Sequence, residues 1–258
     1  CGSLKSNTTA SNNTAVGYFA LHDNTTGTLN TAVGVCSSFA MTTGQQNISM
    51  GGSSLVANTT GSRNSALGQS SLAVNVSGND NVAVGHGSLS ANTTAHENTA
   101  VGRASLQSNQ TGSTNVAVGF KSLNANTTGA RNTGIGQNAL LVNTTGANNT
   151  AVGQGALEAN TTASDNAAFG HDSLVANTTG TQNAAYGFRS MPANTTGDKN
   201  TAIGHQALGA NTTAVQNVAV GYNSLLSVTT GNSNVAVGED AGDAITTGYY
   251  NAALGQGA

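Results

Sequence analysis

Asparagine recurs every seventeen residues in this chain, from Asn13 through Asn30, Asn47 and Asn64 to Asn251, without exception. Four residues after each stands a glycine, from Gly17 to Gly255. A period this long, running through the whole chain, restricts the fold more than any composition does. Each repeat must be one unit that buries its apolar side against copies of itself.

With Asn13 as position one, the segment NVAVGFKSLNANTTGAR (115–131) is representative. Position four is always apolar or aromatic, as at Val16, Met50, Leu67 and Leu254, and position nine is nearly always Leu. Position three is Ala except at Ser49 and Gly134, and position eight is only Ser or Ala. Position fourteen is Thr except at Ser77, and position fifteen is only Gly or Ala. Lys, Arg, Asp, Glu and His fall at positions six, seven, ten, sixteen and seventeen, with Asp23 at position eleven as the exception. Positions that stack on their own copies are restricted, and positions that meet water are not.

Charged residues make up 7% of the 258, which on its own would allow a disordered polar tract. The fixed spacing of the small residues argues instead for an ordered array. A net charge of −3 leaves no footprint for nucleic acid or an anionic membrane. No apolar run approaches the roughly 18 residues of a membrane span. The chain opens at Cys1-Gly2 without a charged-then-apolar leader, and it begins and ends in mid-repeat. It is therefore read as one domain, residues 1–258, cut from a longer array.

Gly and Asn in every repeat, usually with paired Thr, disfavour a helix, and the apolar positions do not follow a 3.6 spacing. The expectation is an all-β fold: a β-solenoid of about fifteen coils, two short strands per coil, making a rod about 70 Å long at the strand spacing. In the first strand, positions two and four are expected to face inward and Ala at position three outward. In the second, the segment ANTTG, apolar replacements at position twelve (Met41, Val228, Ile245) place that position inside. Position fourteen then also faces in and position thirteen faces out. Gly at positions five and fifteen ends each strand, where φ > 0 is expected. Apolar burial alone is too small to order seventeen residues, so backbone ladders, rows of inward Asn and Thr, and packing between chains must contribute. An outward row of Ala would allow another rod to approach closely, which favours a homo-oligomer, a trimer first. The alternative is that small residues merely fit a tight bend.

The NxAVG core with its following Ser/Ala-Leu resembles the head repeats of trimeric autotransporter adhesins. The form with NTTG or NTTA, as in NTAVGQGALEANTTASD (149–165), is similar to repeats of phage and virus tail-fibre proteins. The resemblance covers essentially the whole chain. It implies a trimeric shaft, exposed on a cell or virion, that holds a binding tip away from the surface, with a cell-surface glycan or receptor as partner. The repeats of adhesin heads are shorter, and neither a membrane anchor nor a chaperone domain is present here.

Nothing in the sequence points to an enzyme or a cofactor. There is no P-loop, nucleophile elbow or paired-Cys motif. Glu239, Asp240 and Asp243 form the tightest acidic group and are read as a solvated turn, with a calcium site as the alternative. His86, His171 and His205 share position six, but at coil spacing they lie roughly 24 and 10 Å apart, too far to share a metal. Cys1 and Cys36 stand two coils apart, about 10 Å, which leaves an interchain bridge as the alternative to free thiols. The N-x-T/S sequon recurs at position twelve, at Asn7, Asn24, Asn58, Asn126, Asn211 and others, and again at Asn12, Asn47 and Asn148. A buried Asn ladder is favoured over a glycan ladder at position twelve, and Asn12 and Asn148, at a variable turn, are the better glycan acceptors. Aromatic residues at turns, Tyr18-Phe19, Phe120, Phe188, Tyr222 and Tyr249-Tyr250, are candidates for contact with a glycan or partner. The functional expectation is an extracellular fibre segment. A self-assembling filament is the alternative. Ice binding by a file of outward Thr is a further one, although only one file is expected where such surfaces use two.

Overall fold

A computed structural model describes residues 2–258, and the fold is an all-β solenoid whose coils repeat every seventeen residues. Each coil contributes one three-residue strand. The chain divides into two compact units between Arg131 and Asn132. The first holds β1 (Thr14–Val16), β2 (Thr31–Val33), β3 (Ile48–Met50), β4 (Ser65–Leu67), β5 (Val82–Val84), β6 (Thr99–Val101) and β7 (Val116–Val118). The second holds β8 (Thr133–Ile135), β9 (Thr150–Val152), β10 (Ala167–Phe169), β11 (Ala184–Tyr186), β12 (Thr201–Ile203), β13 (Val218–Val220), β14 (Val235–Val237) and β15 (Ala252–Leu254). In each unit successive strands pair in parallel and in exact repeat register: Thr14 lies against Thr31, Ala15 against Ala32, and Ala151 against Ala168.

The strand phase is the reverse of the expected one. Ala at position three points inward and is fully buried, as at Ala32, Ala83 and Ala117 in the first unit and Ala151, Ala185 and Ala219 in the second. Positions two and four point outward and are half-buried or exposed. Period-two alternation allows either phase, and apolarity at position four selects the wrong one. Restriction of size marks the interior here. Position three accepts only Ala, Ser49 and Gly134, whereas position four runs from Val16 to Phe169 and Tyr186, a range that only open space tolerates. The Ala row is therefore core, and it offers no surface to another chain.

The second expected strand is absent, because ANTTG turns instead. From Asn58 to Asn64 burial follows a period of three: Asn58, Gly61 and Asn64 are inside, Thr59 and Ser62 half-buried, Thr60 and Arg63 outside. Position fourteen is thus exposed and position thirteen half-buried, again opposite to the alternation expected. The amides of Thr25, Thr26 and Gly27 all run to one carbonyl, Thr42 O, at 3.0, 3.2 and 3.3 Å. Convergence on one acceptor leaves no ladder of the β kind. The Thr25 hydroxyl donates to the same oxygen at 3.1 Å, so the half-buried hydroxyl is also spent on the next coil.

Leu at position nine is the one large apolar side chain inside a typical coil and is fully buried, as at Leu21, Leu55 and Leu208. Its backbone is left-handed (φ 50° at Leu55, 47° at Leu106), a conformation that disfavours branched side chains. The turn needs it in order to aim the side chain inward. In two coils the apolar bulk moves. Ser38 replaces Leu at position nine and Met41 replaces Asn at position twelve, and Gly242 and Ile245 do the same. Met41 is fully buried, so it fills the volume that Ser38 leaves. Ser38 and Ser37 both bond to the Ser49 hydroxyl, at 2.7 and 2.6 Å, which satisfies the buried oxygens of that coil.

Asn at position one forms a ladder along each unit. The Asn64 amide N–H donates to Asn47 Oδ1 at 3.0 Å, and Asn64 Nδ2 donates to Asn47 Oδ1 at 3.2 Å and to Gly78 O at 2.8 Å. Asn166 repeats the arrangement on Asn149 and Gly180. Rows of identical buried amides, each satisfied by the coil beside it, supply polar cohesion where apolar burial is small.

Candidate functional surface

Among the described residues there is no enclosed pocket and no group of three His, Cys, Asp or Glu side chains placed to share a metal ion. No helix is long and apolar enough to cross a membrane. The surface is instead a set of parallel columns, one per outward position of the repeat.

One column is apolar and lies on the outer sheet face. In the first unit it contains Val16 (58% exposed), Met50 and Leu67 at position four, with Ile48 and Val82 at position two. In the second it contains Ile135, Tyr186, Ile203 (42% exposed) and Val237, with Val235 beside it. Soluble monomers rarely expose long apolar sheet faces, because such faces recruit other chains. This surface was hidden by the inverted phase. The signal that would have found it is the varied size of position four.

Position six carries a second column that reading down the repeat would have disclosed. His171, Phe188, His205 and Tyr222 follow one another at seventeen-residue intervals, and their rings stack at 5.4, 5.3 and 5.0 Å between centroids. Two of the three histidines judged too far apart to share a metal, His171 and His205, are thus members of one ring stack, separated by Phe188. Beside it, at position four, Phe169 and Tyr186 stack at 4.8 Å. In the first unit Arg103 and Lys121 lie over the Phe120 ring at 5.7 and 5.4 Å, and Phe19, His22 and Phe39 form another cluster. Tyr18 packs its ring on Phe19 at 3.9 Å, and Tyr249 and Tyr250 are exposed. Faces stacked on one another leave ring edges outward, so the position-six stack offers less to a sugar ring than an open aromatic face would.

The expected Asn ladder at position twelve is present. Asn24, Asn58, Asn126 and Asn211 are fully buried and Asn7 is half-buried. Both amide hydrogens of a typical member are used: Asn75 Nδ2 donates to Asn58 Oδ1 at 2.9 Å and to Gly78 O at 3.0 Å. Asn12 and Asn148 are exposed on left-handed turns, with φ 59° and 58°, and Asn148 Nδ2 donates to Asp165 at 3.0 Å. Asn47, at position one, is buried.

Glu239 and Asp243 are exposed and Asp240 is half-buried, and Glu239 accepts a hydrogen bond from Gln256 at 3.4 Å. His86 lies exposed at position six of the first unit. Cys36 is a free, half-buried thiol, and Cys1 lies outside the described residues. The exposed file of Thr runs at position fourteen rather than thirteen. Arg63 and Asp80, one coil apart at position seventeen, pair through two hydrogen bonds of 2.6 and 2.8 Å. The Arg63 hydrogen bond holds the Asp80 carboxyl below its ordinary range, and the same bond raises the guanidinium.

Fold and surface together define a β-solenoid repeat protein with an exposed file of Thr and a partly exposed apolar sheet face. Comparison with family models, with curated proteins and with solved structures finds no match to this chain.

Proposed function

We propose that this chain is a non-catalytic shaft segment of an extracellular or virion-surface fibre, assembled from copies that pack through their outer sheet faces, three being the favoured number. The observation that carries this reading is the exposed Val, Ile, Leu and Met column on consecutive strands. A copy has the same repeat, so any coil that docks brings its neighbours into register with the neighbours of its partner. The resemblance to adhesin-head and tail-fibre repeats supports the trimer and the location. The hydrogen-bonded stacking of coils along each unit supports a mechanical role.

Light scattering on the native assembly tests the proposal. A mass three times the 25.3 kDa of the chain is expected. Met50→Glu with Leu67→Glu, both exposed on the outer face, is expected to reduce the mass to that of one chain while the circular dichroism stays unchanged. A monomeric wild type, or a variant that keeps the assembled mass, would overturn it.

A further inference from the structure

Eleven of the sequon asparagines at position twelve, Asn24 to Asn211, are completely buried. Their Nδ2 atoms are the ones an oligosaccharide would occupy. Asn92 Nδ2 donates to Asn75 Oδ1 at 2.8 Å and to Ala95 O at 3.2 Å. Asn160 Nδ2 donates to Asn143 Oδ1 at 2.8 Å and to Ala163 O at 3.0 Å. A primary amide has two N–H bonds, and a ladder member with Asn in the coil before it uses both; Asn58, which follows Met41, donates one, to Gly61 O at 2.9 Å.

N-glycosylation consumes one of them. The amide nitrogen attacks the anomeric carbon of a lipid-linked oligosaccharide diphosphate. A C–N bond forms, the C–O bond to the diphosphate breaks, the lipid diphosphate leaves with the electron pair, and one Nδ2 proton goes to base. A sugar ring would then have to stand where the interior is closed, with one ladder bond missing. The Thr that completes every one of these sequons but that of Asn75, which ends in a half-buried Ser77, is at position fourteen and exposed, so the recognition residue stays visible while the acceptor does not.

We propose that transfer of an oligosaccharide to position twelve and closure of that coil exclude each other in the same molecule. The chain reaches its solenoid fold only where folding precedes transfer or takes place without it. On the folded chain the exposed sequon acceptors are Asn12 and Asn148.

The test uses the full chain, made once in a bacterial cytoplasm and once through a glycosylating secretory pathway. Limited proteolysis separates folded from unfolded molecules, and glycopeptides are mapped in each fraction. Glycans on the buried asparagines from Asn24 to Asn211 are expected in the protease-sensitive fraction alone, and glycans at Asn12 and Asn148 in both. Replacing Thr or Ser by Val at position fourteen of the twelve sequon repeats removes the sequons without touching the ladder, and is expected to yield resistant secreted protein. If that variant fails to fold in the bacterial host, blocking synthesis of the lipid-linked donor during secretion of the wild type provides the same comparison. Position-twelve glycopeptides in the resistant fraction would overturn the proposal. So would wild-type protein that stays protease-sensitive after secretion with donor synthesis blocked, while the bacterial product is resistant.

Discussion

The amide oxygens of Asn24 and Asn211 are buried without a hydrogen-bond partner, and the reason is one coil away. In the ladder each Oδ1 accepts from the Asn of the following coil, and at these two places the following residue is Met41 or Val228. An unsatisfied buried acceptor costs about 1–3 kcal/mol. Ser38→Leu with Met41→Asn restores the usual pair of positions nine and twelve and joins Asn24 to Asn58 through the new amide. A stabilisation of about 1–3 kcal/mol is expected in urea unfolding. Val228→Asn should give no such gain, because Ile245 follows it and the unpaired oxygen moves to the new side chain. Interior placement of position twelve was legible in the sequence from these apolar replacements. The exchange of bulk between positions nine and twelve was legible too, since Ser38 occurs with Met41 and Gly242 with Ile245. At the surface, the depressed Asp80 carboxyl gives the Arg63 pair a sign. Its contribution is complete above the ordinary carboxylate range and is lost as pH falls through the lowered value. The difference between wild type and Asp80→Asn, small in solvent-screened surroundings, is expected to shrink toward zero by pH 2 in a denaturation series.

The coil owes its shape to places where the backbone leaves the common regions. Gly85 has φ 126°, and a Cβ there would lie 2.7 Å from both the carbonyl carbon and the oxygen of Gly102. Gly85→Ala should therefore cost about 1–3 kcal/mol from conformation alone, with the clash added. Gly52, where a Cβ meets nothing within 4 Å, is the control, and Gly52→Ala should stay within about 0.5 kcal/mol. Thermal unfolding of the two variants makes the comparison. The need for φ > 0 at position five could be read from its invariance. Gly27, at position fifteen, has no such φ, and its size is set by the neighbouring Gly44 carbonyl and Asn24 amide. Strand phase was not legible from hydrophobicity, because Val at position four suits a sheet face as well as a core. A narrow coil admits only small residues at position three, and that limit on volume shows in the sequence as restriction to Ala, Ser49 and Gly134.

Across each unit, the same economy that leaves little apolar bulk inside leaves a good deal outside. In the proposed assembly, outward valines and isoleucines that would be surplus in a monomer are the cohesive surface. An assembly held by such a face should keep its mass in 1 M salt, where the Debye length is about 3 Å and interactions between exposed charges are screened. Light scattering across a salt series distinguishes this from association through scattered charges, whose mass would fall. The candidate surface was legible in parts. Each ring of the His171–Tyr222 stack could be noted singly, but their meeting depends on knowing that position six of one coil lies over position six of the next.

Because nearly every backbone bond outside the local turns passes to the adjacent coil, a coil is both copied upon and copied from. Inserting or deleting seventeen codons would add or remove one step of about 4.8 Å while presenting the same columns to the surroundings. Length in such a protein is a countable inherited trait, and recombination between near-identical repeats can tune reach without redesigning a single contact.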